Sequence, residues 1–72
     1  MLYVDMNRYK VTCKGLSVRV YDVNGFRAIR RVATRMQEEL QPQAEISMHD
    51  PDYTTYRQET KSGEWVTAVV RS

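Results

Sequence analysis

The clearest pattern in the chain lies between Asn24 and Leu40, where apolar residues fall at Phe26, Ile29, Val32, Ala33, Met36 and Leu40. This i, i+3, i+4, i+7 spacing sets one face of a helix against a core and predicts a helix over 25–40. Asn24 stands at the N-cap position, where a side-chain oxygen accepts from a free amide of the first turn. Val23 is placed to staple onto Ala28. Glu38 and Glu39 fall in the last turn, where the helix dipole disfavours them. Pro42 is expected to end the helix, since the residue before a proline avoids helical angles.

On either side the period drops to two. Leu2, Val4 and Met6 alternate with Tyr3, Asp5 and Asn7, and Tyr9, Val11 and Cys13 with Arg8, Lys10, Thr12 and Lys14. These are strand patterns, and the phase flip near Asn7–Arg8 reads as a bulge or bend. Lys14-Gly15 is a turn, and Val18 and Val20, alternating with Arg19 and Tyr21, complete a hairpin. Beyond Pro42, Ala44, Ile46 and Met48 alternate with Glu45, Ser47 and His49. Asp50-Pro51-Asp52 makes a turn, and 53–59 is rich in Tyr and Thr, which favour strands. After the turn at Lys61-Ser62-Gly63, residues 64–71 alternate again.

The order β-β-α-β-β-β with short turns implies antiparallel meanders. A single helix with one apolar face then covers one face of the sheet, an α+β layer. The expected core is Val11, Val18, Val20, Phe26, Ile29, Val32, Ala33, Met36, Ile46, Met48 and Val66. Alternation over 64–71 leaves open which of Trp65 and Val66 points inward. The uncovered face would carry tyrosines and threonines, which an antiparallel sheet tolerates.

At 72 residues the chain has room for one domain, 1–72, with a thin core. The single Cys13 allows no internal disulfide and no cysteine zinc site, and a cytoplasmic protein is expected. The apolar run at 1–4 is cut by Asp5 and Asn7, too early for a signal peptide or a membrane span. Net charge is +2, from 11 basic and 9 acidic residues. That is not the balance of a strongly basic nucleic-acid binder, and its sign speaks against mimicry of DNA. The asymmetry is local: the helix and the chain before it are basic, while 45–64 holds five of the nine acids.

Catalytic signatures are thin. Cys13 and His49 would need a third, orienting group to act as nucleophile and base, and a lone cysteine alternating with Tyr and Val reads as core. His49, Asp50 and Asp52 around a proline lack the spacing of a metal site and read as an exposed acidic turn. There is no P-loop, GxGxxG or nucleophile elbow. No enzyme activity, cofactor or metal is expected.

Binding is better supported. Arg27, Arg30, Arg31 and Arg35 gather on the outer side of the helix. Arg27–Arg31 and Arg31–Arg35 are like-charge pairs at i, i+4, each destabilising by roughly 0.2–0.5 kcal/mol. They form either a plain solvated face, arginine being a good helix former, or a face kept for a polyanion or an acidic protein surface. Tyr3, Tyr21, Tyr53, Tyr56 and Trp65 are many large rings for so small a core. Tyr, Trp and Arg are enriched at binding hot spots, although tyrosines also line half-covered sheets with wet hydroxyls. Aromatics beside arginines can stack bases, yet no RNP-like motif, GXXG loop or recognition helix is identifiable. The expected partner-binding residues are Arg27, Arg30, Arg31 and Arg35, with Tyr53, Tyr56 and Trp65 as further anchors.

FRAIRRVATR at 26–35 resembles the helix of small phage-encoded host-takeover proteins, in which a leading strand runs into a helix that begins leucine, x, x, alanine, basic, basic, apolar, alanine, serine or threonine. GEWV at 63–66 is similar to their closing glycine, x, x, tryptophan pattern, with one residue fewer before the tryptophan. Some type I-F anti-CRISPR proteins have this shape, and the small phage inhibitor of bacterial RNA polymerase has a similar strand–helix–strand–strand order. The motifs are mainly core positions, and the chain departs from them at Ile29, where alanine is usual, and at the 50–52 turn. The resemblance implies a non-catalytic inhibitor that docks on a host nucleic-acid-processing machine, RNA polymerase or a CRISPR surveillance complex, with a host protein or ribonucleoprotein as partner. The alternative is a small nucleic-acid-binding module using the arginine face. No membrane contact is expected, and an exposed edge strand leaves a monomer and a weak dimer both open.

Overall fold

Asn24 starts the helix as its chemistry requires: its side-chain oxygen accepts from the Arg27 amide at 2.9 Å. The computed structural model describes residues 6–71, so the alternation at Leu2 and Val4, and Tyr3, lie outside it. Five strands and one helix follow in the order β1 (Asn7–Cys13), β2 (Leu16–Asp22), α1 (Gly25–Arg35), β3 (Leu40–His49), β4 (Tyr53–Thr60), β5 (Trp65–Arg71). The strands form one antiparallel sheet in the spatial order β2-β1-β5-β4-β3. The β1–β2 hairpin and the β3–β4–β5 meander join through the β1–β5 pairing. The helix connects the two edge strands and packs against the sheet's centre.

The helix ends at Arg35, not Leu40. The Glu38 amide donates to the Ala33 carbonyl at 2.8 Å and the Gln37 amide to Thr34 at 3.1 Å, with Gln37 at φ 58°. This is a Schellman ending, built with glutamine where glycine is usual. Pro42 therefore does not stop the helix; it sits within β3, an edge strand, where a missing donor is tolerated. The β3–β4 register shifts between Leu40 and Ala44, and again between Ile46 and Met48. Replacing Gln37 with glycine removes the cost of a side chain in the left-handed region, about 1–2 kcal/mol, against about 0.5–1 kcal/mol of added chain freedom. A net gain of about 0.5 kcal/mol is expected, read as a higher urea midpoint at unchanged slope.

The core is Tyr9, Val11 and Cys13 from β1, Ala28, Ile29, Val32 and Ala33 from α1, and Val66 and Ala68 from β5. Val66, not Trp65, points inward. Val20, Phe26, Met36 and Leu40 pack half-buried around it. Three expected core residues are exposed: Val18, Ile46 and Met48. One helix is narrower than five strands, so the helix-side surface of edge strands β2 and β3 is left bare. Met48 has in addition been carried to the other side by the bulge, opposite Thr55 rather than in phase with Ile46.

Both ends of the sheet are fastened by side chains. Lys14 and Gly15 both take positive φ, 51° and 78°, as a two-residue hairpin turn requires. Glu38, just past the helix, forms an ion pair with Lys14 and accepts from Ser62 Oγ at 3.2 Å, joining the β1–β2 turn to the β4–β5 turn. Buried Thr60 receives the Glu64 amide at its Oγ1 at 3.0 Å. At the opposite end Asp50 Oδ1 accepts from the amides of Asp52 and Tyr53 at 2.8 and 2.7 Å, the turn its sequence predicts. Among the described residues no helix is long and apolar enough to cross a membrane.

Candidate nucleic-acid interface

The sheet has two unlike faces. Opposed residues of antiparallel strands point the same way, so the register assigns each side chain. Toward the helix point Tyr9, Val11, Cys13, Tyr56, Val66 and Ala68. Away from it, on the bare face, Arg8 lies opposite Tyr21, Lys10 opposite Arg19 and Thr12 opposite Ser17. Lys10 also faces Val69, Val69 faces Thr55, and Tyr53 faces Arg71. One further ladder step from Lys10–Val69 sets Arg8 level with Arg71. Tyr21, Arg8, Arg71 and Tyr53 thus form a row across four strands, with Arg19 and Lys10 in the next row. Tyr21 and Tyr53 are 57% and 49% exposed.

The ion pairs divide the cations sharply. Lys14, Arg27, Arg31, Arg57 and Lys61 have carboxylate partners. Arg8, Lys10, Arg19, Arg30, Arg35 and Arg71 have none among the described residues. Four of these six stand on the bare face. Lys10 directly opposite Arg19 is a like-charge pair, which destabilises a sheet. Farther along this face Arg57 pairs with Glu45 and lies 4.4 Å above the Trp65 ring. That half of the face is neutralised, and Trp65 offers a ring already stacked on a guanidinium.

The helix arginines separate into two kinds. Arg27 Nε lies 3.2 Å and Arg31 Nη1 3.4 Å from the carboxylate of Asp22, and Arg31 Nη1 also donates to the Tyr21 carbonyl at 2.7 Å. Asp22 is buried and receives the Val23 amide at 2.6 Å. Burial alone would push its carboxyl up; the Val23 amide and the two guanidinium groups outweigh that and hold it below the ordinary range. Arg27 and Arg31 therefore support the fold. Removing both would leave a buried carboxylate with one amide as partner, at about 1–3 kcal/mol. Arg30 and Arg35 have no ion partner among the described residues.

Tyr56 is not on the bare face. It lies under the helix start, edge-to-face with Phe26 at 5.0 Å and with Tyr9 at 6.1 Å. Sequence reasoning passed over Asp22, although a signal was present: it is the only acid between Arg8 and Arg35. Arg8, Lys10, Arg19 and Arg71 were passed over because their gathering depends on the β1–β5 pairing.

Cys13 and His49 are not brought together. Three strand spacings, about 14 Å, separate β1 from β3, and the two residues lie at opposite ends of the sheet. Burial pushes the Cys13 thiol up, with the Glu38 charge adding to it, and His49 Nδ1 is hydrogen-bonded to Thr54 Oγ1 at 2.8 Å. The described residues contain no cluster of His, Cys, Asp and Glu suited to a metal ion.

A pH dependence follows from the carboxylates. Asp22 and Glu38 both have lowered pKa values, Glu38 chiefly through its hydrogen bond with Lys14. Their contribution is present above the unfolded-state carboxylate pKa, about 4, and is lost as pH falls through the folded values. Tm is expected to fall below about pH 4, and Asp22→Asn should flatten that fall while lowering Tm at pH 7.

No family model, curated protein or solved structure matches this chain.

Proposed function

We propose that this chain is a non-catalytic binding protein that holds single-stranded nucleic acid on the bare face of its sheet. The observation that carries this reading is the placement of Arg8, Lys10, Arg19 and Arg71, none with an ion partner among the described residues, between the exposed rings of Tyr21 and Tyr53. Phosphates supply the charge that the Lys10–Arg19 opposition lacks, and bases stack on tyrosine faces irrespective of sequence. Single strands suit the surface better than duplex. Five strands span about 19 Å, wider than the major groove of about 12 Å that admits a helix or a two-stranded ribbon.

The test is fluorescence anisotropy of a labelled oligothymidine or oligouridine across a salt series. If all four cations reach phosphates, the log–log slope is about −0.7 × 4, or about −2.8. A flat salt response, or no binding at low salt, would count against the reading.

The inhibitor of RNA polymerase or of a CRISPR surveillance complex stands as a second reading, supported by the apolar cleft that Leu16, Val18 and Val20 of β2 form with Val32 and Met36. Pull-down from nuclease-treated bacterial lysate separates the two. Retention of polymerase or CRISPR subunits without nucleic acid favours the inhibitor; loss of all capture on nuclease treatment favours direct binding.

A further inference from the structure

The sheet's two edges are not equally protected. β3 carries Pro42 and two register shifts, the devices that keep an edge from pairing with another chain. β2 has neither: all seven residues pair in regular register with β1. In a two-residue hairpin the pair next to the turn, Cys13 and Leu16, exchanges hydrogen bonds. The alternation then turns the backbone groups of Ser17, Arg19 and Tyr21 outward. Arg31 already occupies the Tyr21 carbonyl, which leaves the amides and carbonyls of Ser17 and Arg19 and the Tyr21 amide without a partner among the described residues along this edge.

Beside that edge, between β2 and α1, lies a cleft of about 380 Å³ whose apolar walls are Leu16, Val18, Val20, Val32 and Met36. Leu16 and Val18 are 63% and 46% exposed, because the helix does not reach over β2. Every charged residue lining the cleft is an arginine: Arg19, Arg31 and Arg35. Arg35 has no ion partner among the described residues, and Arg19 already faces Lys10.

We infer that the β2 edge takes an added strand from a partner protein, an extended segment in which apolar and acidic residues alternate. The alternation follows from the pleat. Residues of the incoming strand opposite Val18 and its neighbours in phase point into the apolar cleft. Those in the other phase point to the bare face beside Arg19, where a carboxylate meets unpaired positive charge. Main-chain pairing supplies affinity, and the alternate side chains select the partner. A second copy of this chain fits less well, since it would bring its own arginines to the same cleft.

This inference does not rest on the nucleic-acid reading. Val18 faces the cleft and Arg71 the bare face, so the two can be broken separately. The probe is a short blocked peptide of glutamate alternating with valine, titrated into isotopically labelled protein and followed by amide spectra. Saturable binding is expected, with the Ser17 and Arg19 amides becoming protected from exchange. Lysine in place of the probe's glutamates, or N-methylation of its backbone on the pairing edge, should each weaken binding by about tenfold or more. Val18→Glu should do the same while the amide spectrum stays folded, and Arg71→Glu should leave peptide binding unchanged. No binding at millimolar peptide, equal binding of the N-methylated probe, or indifference to Val18→Glu would overturn the inference. So would sedimentation of the free protein as a dimer that Val18→Glu dissociates, which would assign the edge to a second copy.

Discussion

Gly25→Ala is expected to destabilise the protein by about 2 kcal/mol, although alanine is the better helix former by about 1 kcal/mol. A Cβ at Gly25 would lie within 2.8 Å of three ring atoms of Tyr56: Cδ2, Cγ and Cε2. The ring cannot simply step aside. Phe26 and Tyr9 hold it edge-to-face on two sides, and Cγ is fixed to the backbone of β4, which is paired with a strand on either side. Overpacking of a held side chain costs about 1–3 kcal/mol; with three ring atoms within 2.8 Å the cost here is at the upper end, about 3 kcal/mol, which exceeds the helix-propensity gain of about 1 kcal/mol and sets the sign. Equilibrium unfolding in urea measures it. A companion change, Tyr56→Leu with Gly25→Ala, should recover part of the loss, because the clash is with the ring. If Gly25→Ala alone raised stability, the close packing of the helix start on Tyr56 would be wrong.

The second large effect concerns binding. Lys10→Glu with Arg19→Glu is expected to weaken the affinity for oligothymidine by about a hundredfold or more at low salt, about 3 kcal/mol or more. Two phosphate-neutralising charges are lost and two repelling ones appear in their place. The fold should survive: both side chains are exposed, neither has an ion partner among the described residues, and exposed substitutions of this kind stay within about 0.5 kcal/mol. The control is Arg30→Glu with Arg35→Glu on the helix, also free of ion partners among the described residues, which should reduce affinity only slightly through net charge. Loss in the helix variant with retention in the sheet variant would move the site to the helix. Arg27 and Arg31 are unsuited to this comparison because their removal strands Asp22.

Much of the fold is legible in the residues. Asn24, the i, i+3, i+4 spacing and the turns at Lys14-Gly15 and 50–52 each act locally, and each appears where the chain's chemistry puts it. The misread helix end has a local cause too. Gln37 gives no signature of a left-handed ending, and Met36 and Leu40 continue the apolar period because both sides of the turn re-enter the core. Val18 and Ile46 show a different limit. Alternation states which face a residue joins, but whether that face is covered depends on the widths of sheet and helix. Met48 shows a third: one bulged residue reverses every later side chain. The helix arginines were visible as a patch, but their division into structural and free members depended on Asp22 reaching across from β2. The bare-face cations could not be grouped without the pairing of β1 with β5.

The bare sheet face as the binding surface is tested most directly by mapping amide chemical-shift changes as a short oligothymidine is titrated into labelled protein. Changes are expected to cluster at Arg8, Lys10, Arg19, Tyr21, Tyr53 and Arg71, with α1 nearly silent apart from its contacts to the sheet. Changes confined to Arg30 and Arg35 and their neighbours on α1, or no saturable change at low salt, would contradict it.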